Sequence, residues 1–70
     1  MKNSIKVERA IKDLTQAQLA DLVQVSRQTI NAIEKGKYIP STVLALKIAQ
    51  ICGKPVTEIF QLEENDWGKN

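Results

Sequence analysis

Between Gln16 and Lys35, in QAQLADLVQVSRQTINAIEK, apolar and polar residues recur with the period of two short helices rather than of strands. Leu19, Ala20, Val23, Val25, Ile30 and Ile33 fall at the spacings that bury one face of each helix against the other. A tight polar turn separates the two. The second helix leaves Arg27, Gln28, Thr29 and Asn31 on its outer side. This pattern predicts a helix-turn-helix unit.

Turn and cap signals divide the rest of the chain into about five helical segments with short connections, and strand-like alternation is nearly absent. A first helix from about Ser4 to Lys12 would turn Ile5 inward with the small Ala10, Asp13 ending it and Leu14 anchoring the connection. Thr15 opens the second helix, with Gln18 in register to complete a capping box worth about 1 kcal/mol. Ser26 caps the third, which runs from Arg27 to about Lys35 and stops at Gly36. Tyr38, Ile39 and Pro40 connect to a fourth helix capped by Ser41, whose stripe is Leu44, Ala45, Ile48, Ala49 and Cys52, closed by Gly53. Pro55 starts a short fifth helix that places Ile59 and Phe60 inward. The expected organisation is an all-α domain over residues 1–62 and an acidic, frayed tail over residues 63–70. Val43 and Trp67 are read either as ordinary surface or as parts of a self-association patch.

At 70 residues there is room for one domain only. A single cysteine and no histidine leave neither a disulfide framework nor a zinc ligand set, and Cys52 reads as core packing. Neither a leader-like apolar stretch nor a membrane span of ~18 apolar residues is found. The expected compartment is the cytoplasm. Residues 1–54 hold nine Lys/Arg against four Asp/Glu, net +5, whereas residues 55–70 hold one against four, net −3. That asymmetry suits a body that approaches a polyanion and a tail that avoids it, although a merely solvated surface gives the same count.

The outer residues of the third helix match the chemistry of DNA bases. Arg pairs with two acceptors on guanine, and Gln or Asn bridges the acceptor and donor of adenine, each pair worth about 1–3 kcal/mol of discrimination. Arg27 and Gln28 lie in the first turn and Asn31 one turn later, so all three address one groove. Each alone is also compatible with an ordinary solvated helix face. Phosphates call for positive charge, neutral donors and helix N-termini. Gln16, Thr29, Lys35, Lys37 and Tyr38 are the candidates; the two lysines can equally be plain surface, and Tyr38 either touches DNA or packs under its loop. Ala20 faces the third helix where a methyl lets the two axes approach.

The segment LTQAQLADLVQVSRQTINAIEKGKYIPS resembles the lambda-repressor-like, or Xre-type, helix-turn-helix regulators. The likeness rests on Leu14-Thr15-Gln16, Leu19-Ala20, Val25-Ser26, Ile30, Ile33-Glu34, Gly36 and Pro40-Ser41, and continues through Leu44, Ile48-Ala49, Gly53 and Ile59-Phe60. The resemblance implies a compact five-helix domain acting as a homodimer on an inverted-repeat operator in double-stranded DNA, with the third helix in the major groove. It implies that Gln16, Arg27, Gln28 and Asn31 stand at DNA-contact positions, and that Lys35 and Lys37 lie in the loop that touches the backbone. It also implies that Arg9 and Glu34 form a largely buried ion pair between the first and third helices. Gln24 departs from the family's usual turn glycine and implies strain of about 1 kcal/mol. Asp13 likewise replaces a frequent glycine, and Glu8 stands where relatives often place a small or apolar residue.

The leading expectation is therefore a sequence-specific transcriptional regulator, a repressor without a sensor domain, needing no cofactor or small-molecule ligand. The alternative is an antitoxin or adapter that binds a protein partner through the acidic tail and Trp67. An enzyme is not expected, since no histidine, no nucleophile paired with a base and no glycine-rich phosphate loop is present.

Overall fold

Thr15, Ser26 and Ser41 start three helices where their hydroxyls predict. In the computed structural model, which describes residues 1–68, the order is β1 (Lys2–Asn3), α1 (Ile5–Ile11), α2 (Gln16–Val23), α3 (Arg27–Glu34), α4 (Thr42–Cys52), α5 (Val56–Ile59) and β2 (Phe60–Gln61), with a closing 3-10 turn at Glu64–Trp67. Gln18 N donates to Thr15 Oγ1 at 3.0 Å while Thr15 N donates to Gln18 Oε1 at 2.9 Å, completing the capping box. Thr29 N and Leu44 N donate to the hydroxyls of Ser26 and Ser41, both at 3.1 Å.

Twelve apolar side chains make one core, contributed by every helix: Ile5 from α1, Leu19, Ala20 and Val23 from α2, Ile30 and Ile33 from α3, Leu44, Ile48, Ala49 and Cys52 from α4, Ile59 from α5, and Phe60 just beyond. Val25 and Ala45 pack against it, half-buried. Burial raises the Cys52 thiol above its ordinary pKa, so it remains a protonated core side chain. Ala20, on α2, is buried. Ala20→Leu is expected to cost about 1–3 kcal/mol by overpacking. Urea unfolding checks this, and a loss below half a kcal/mol would mean the crossing has room to spare.

Three local expectations need correction. Ala10 is exposed, because Ile5 and Glu8 define the buried face of α1 and Ala10 lies five residues from Ile5, well off that face; Val7 and Ile11 also point outward. Glu8 is buried, with Oε2 accepting from Lys54 Nζ at 2.9 Å. The all-α class holds, but Phe60 is buried from extended backbone rather than from the fifth helix, in a short antiparallel pair that sets Lys2 opposite Gln61 and Asn3 opposite Phe60. Two-residue strands are too short to show alternation. Lastly, the start of the acidic tail is ordered rather than frayed: Glu63 N donates to Asp66 Oδ2 at 2.7 Å, and the Met1 ammonium lies 2.9 Å from Glu63 Oε1 and 3.1 Å from Asp66 Oδ2. Hydrogen bonds to Glu63 and Asp66 raise the ammonium pKa. Positions 69 and 70 of that tail lie outside the described residues. Trp67 and Val43 are exposed.

Gln24 ends α2 in the left-handed region, φ 66° and ψ 45°, where Val25 N reaches back to Ala20 O at 3.0 Å. A β-carbon is strained there. Gln24→Gly should stabilise the domain by about 1 kcal/mol, because the side chain's one partner among the described residues is the exposed Lys47 at 3.4 Å. The matching rise in melting temperature is about 4–8 °C for a domain of this size. An unchanged or lower value would show that backbone freedom gained by the unfolded chain cancels the relief.

Candidate nucleic-acid interface

Because Ile30 and Ile33 are completely enclosed, α3 can be rotated only one way, and its opposite edge must face solvent. Arg27 and Gln28 stand exposed in the first turn, with no hydrogen-bond partner among the described residues. Thr29 is half-buried, its hydroxyl 3.0 Å from Ser26 Oγ. Lys35, Gly36 and Lys37 follow as an exposed loop, and Tyr38 is half exposed rather than packed beneath it.

Asn31 and Gln16 meet across the α2–α3 junction. Gln16 Nε2 lies 3.2 Å from Asn31 Oδ1 and 3.1 Å from Glu34 Oε1. Behind them, Arg9 Nε donates to Glu34 Oε2 at 2.6 Å, Nη2 donates to Oε1 at 3.1 Å, and Nη1 donates to Leu14 O at 2.9 Å. Side-chain exposure is 14% for Arg9 and 7% for Glu34, so this fork is mostly withdrawn from water. The hydrogen bonds to Glu34 raise the guanidinium pKa still further, outweighing the cost of burial. With the carboxylate of Glu34 neutralised inward, the outer edge of α3 keeps no unpaired negative charge.

Both hydrogens of Gln16 Nε2 are thus engaged within the protein. The side chain offers only Oε1, an acceptor, which repels a phosphate oxygen. Its backbone is different. Thr15 satisfies the amides of Gln18 and Leu19, which leaves those of Gln16 and Ala17 as first-turn donors at the start of α2. By the same accounting Arg27 and Gln28 supply free amides on α3, and Thr42 and Val43 supply them on α4. Three helix N-termini therefore bring unpaired N–H groups to the surface, the arrangement that holds phosphate oxygens.

Sequence reasoning missed Asn3. Its Nδ2 donates to Ile33 O at 2.8 Å and its Oδ1 accepts from Ile5 N at 3.2 Å, so one side chain ties the end of α3 to the start of α1. An Asn two residues before a helical stripe is a cap signal, but its second bond spans 30 residues and no local pattern records that. Among the described residues, no cluster of three or more acidic or sulfur ligands is placed to hold a metal, and no helix is long and apolar enough to cross a membrane.

Comparison with known proteins points the same way as the geometry. A helix-turn-helix family model matches residues 5–59. An uncharacterized HTH-type transcriptional regulator of Methanocaldococcus jannaschii is 53% identical over 66 residues, spanning 94% of this chain and 100% of the relative. YgzD of Bacillus subtilis, also an uncharacterized HTH-type transcriptional regulator, is 46% identical over 66 residues with 94% and 100% covered. Among solved structures, the restriction-modification controller protein C.AhdI from Aeromonas hydrophila aligns with a TM-score of 0.73 at 30% identity, over 80% of this chain and 85% of that one.

Proposed function

The chain belongs to the lambda-repressor-like, or Xre-type, helix-turn-helix family of transcriptional regulators, whose members bind double-stranded DNA, and from that premise we propose that it is a cytoplasmic repressor gripping an inverted-repeat operator as a homodimer. In this reading α3 enters the major groove, an opening of about 12 Å that admits one helix. Arg27, Gln28 and Asn31 read base edges. The α2, α3 and α4 N-terminal amides, with Thr29, Lys35, Lys37 and Tyr38, hold the backbone on either side.

The observation that supports this most is the outer edge of α3: polar side chains of the types that pair with base edges, no unpaired carboxylate among them, and unsatisfied helix amides around them. Two such domains spanning half-sites about 34 Å apart combine modest affinities into a specific one. Occupying a promoter in that way excludes polymerase, which is the basis for assigning repression rather than activation.

Titration of a labelled duplex against salt tests the contact surface. Log affinity should fall linearly with log salt, and Lys35→Ala and Lys37→Ala should each reduce the slope by about 0.9. A slope unmoved by either lysine would remove them from the interface. Selection of bound duplexes from a random pool tests the rest: paired half-sites are expected, and a single unpaired motif would contradict the dimer. Transcription in vitro from a promoter carrying the selected site should decline as protein is added, and stimulation would overturn the repressor assignment.

A further inference from the structure

The Arg9–Glu34 fork does more than hold two helices together. A carboxylate clasped by a guanidinium is ionised and accepts only, so the Gln16 atom 3.1 Å from Glu34 Oε1 must be the nitrogen. That same nitrogen lies 3.2 Å from the Asn31 amide, so the Asn31 atom facing it must be the oxygen. Charge at Arg9 thereby sets the direction of every amide in the chain of contacts, and it leaves Asn31 with Oδ1 drawn toward α2 and Nδ2 on the opposite branch, turned away from α2. Among the described residues Nδ2 has no partner.

We propose that Gln16 is a positioning residue which fixes the polarity of Asn31, so that Asn31 meets the base pairs as a hydrogen-bond donor and selects an acceptor edge. This rests on the reading of α3 as the groove element and names what that element recognises at one position. The acceptors in reach of such a donor are guanine O6 or N7, adenine N7 and thymine O4. A two-bond bridge to adenine, which the residue type alone suggests, needs Oδ1 turned outward beside Nδ2, and Gln16 holds it back. Gln16 itself grips phosphate with its backbone amide, because its side-chain hydrogens are spent on Glu34 and Asn31.

The test compares wild type, Asn31→Ala, Gln16→Met and Arg27→Ala by selection from a random duplex pool, followed by affinities for single-base variants of the winning site. Asn31→Ala should erase preference in one column of each half-site. Gln16→Met, which keeps the length of the side chain but none of its polarity, should change the relative affinities of the four bases in that column by about fivefold or more. Preference in the Arg27 column should stay within twofold. Equal loss at all four bases in Gln16→Met would make Gln16 a contributor to affinity alone and overturn the proposal.

Base analogues give a second reading on the unaltered protein. Removing the acceptor from the selected base in the Asn31 column should weaken binding about tenfold, whereas removing an exocyclic amino donor from the same base pair should leave it within twofold. The reverse pattern also overturns the proposal. If wild type selects a defined site and Asn31→Ala changes no column, the donor role fails while DNA reading by the domain stands. If wild type selects no sequence, both fall.

Discussion

Glu34→Ala is expected to destabilise the domain by about 3–5 kcal/mol, because it strands the mostly buried Arg9 guanidinium without its carboxylate. The whole stability of a domain of this length is roughly 4–10 kcal/mol, so a large fraction of the variant would be unfolded in water. Arg9→Ala should cost a similar amount, and it also deprives Leu14 O of its donor. A double-mutant cycle in urea distinguishes coupling from two independent defects: the double variant should fall short of the summed single losses by 1 kcal/mol or more. Additive losses would mean the ion pair contributes nothing as a pair. Because Glu34 also holds Gln16, the folded fraction of Glu34→Ala should bind DNA more weakly than wild type, an effect that Arg9→Ala shares less directly.

Ile30→Ala should lose about 2–5 kcal/mol, the sum of lost burial and the cavity left between α3 and the rest of the core. Ile30 is buried on the inner side of α3, yet DNA binding should decline with the folded population. Ile30→Val, which removes one methylene, should cost about 0.5–1.5 kcal/mol and preserve binding. Ile39, which is exposed, supplies the control: Ile39→Ala should stay within about half a kcal/mol of wild type. If Ile30→Ala and Ile39→Ala proved equal in urea, the assignment of inner and outer faces of α3 would be wrong. That assignment underlies every contact proposed for Arg27, Gln28 and Asn31.

Much of the fold is local and was therefore readable. Thr15 with Gln18, Ser26 and Ser41 each announce a helix start, since a hydroxyl in extended backbone can satisfy an amide only three residues on. The stripe of Leu44, Ile48, Ala49 and Cys52 repeats every three or four residues and is buried throughout. Where reading by pattern failed, the cause lay at long range. Burial of a carboxylate contradicts composition, and Glu8 is buried because Lys54, 46 residues away, brings an ammonium to it. With Ile5 and Glu8 on the inner face of α1, Val7, Ala10 and Ile11 face outward.

At the candidate interface the division is similar. Residue types in the first turn of α3 name the chemistry available to a base, and helical spacing says which of them share an edge. What those types cannot say is the orientation of an amide. Gln16 and Asn31 acquire one only through Glu34, which Arg9 clasps from another helix.

By itself, then, the sequence determined where α2, α3 and α4 begin and which of their sides is apolar, because caps and periodicity act over three or four residues. Tertiary structure alone decided the rotation of α1, the pairing of Asn3 with Ile33, the strand pair closing the ends and the polarity of Asn31. Those features depend on charges and hydrogen-bonding groups brought together from distant parts of the chain, and a buried polar group takes its role from the partner that satisfies it.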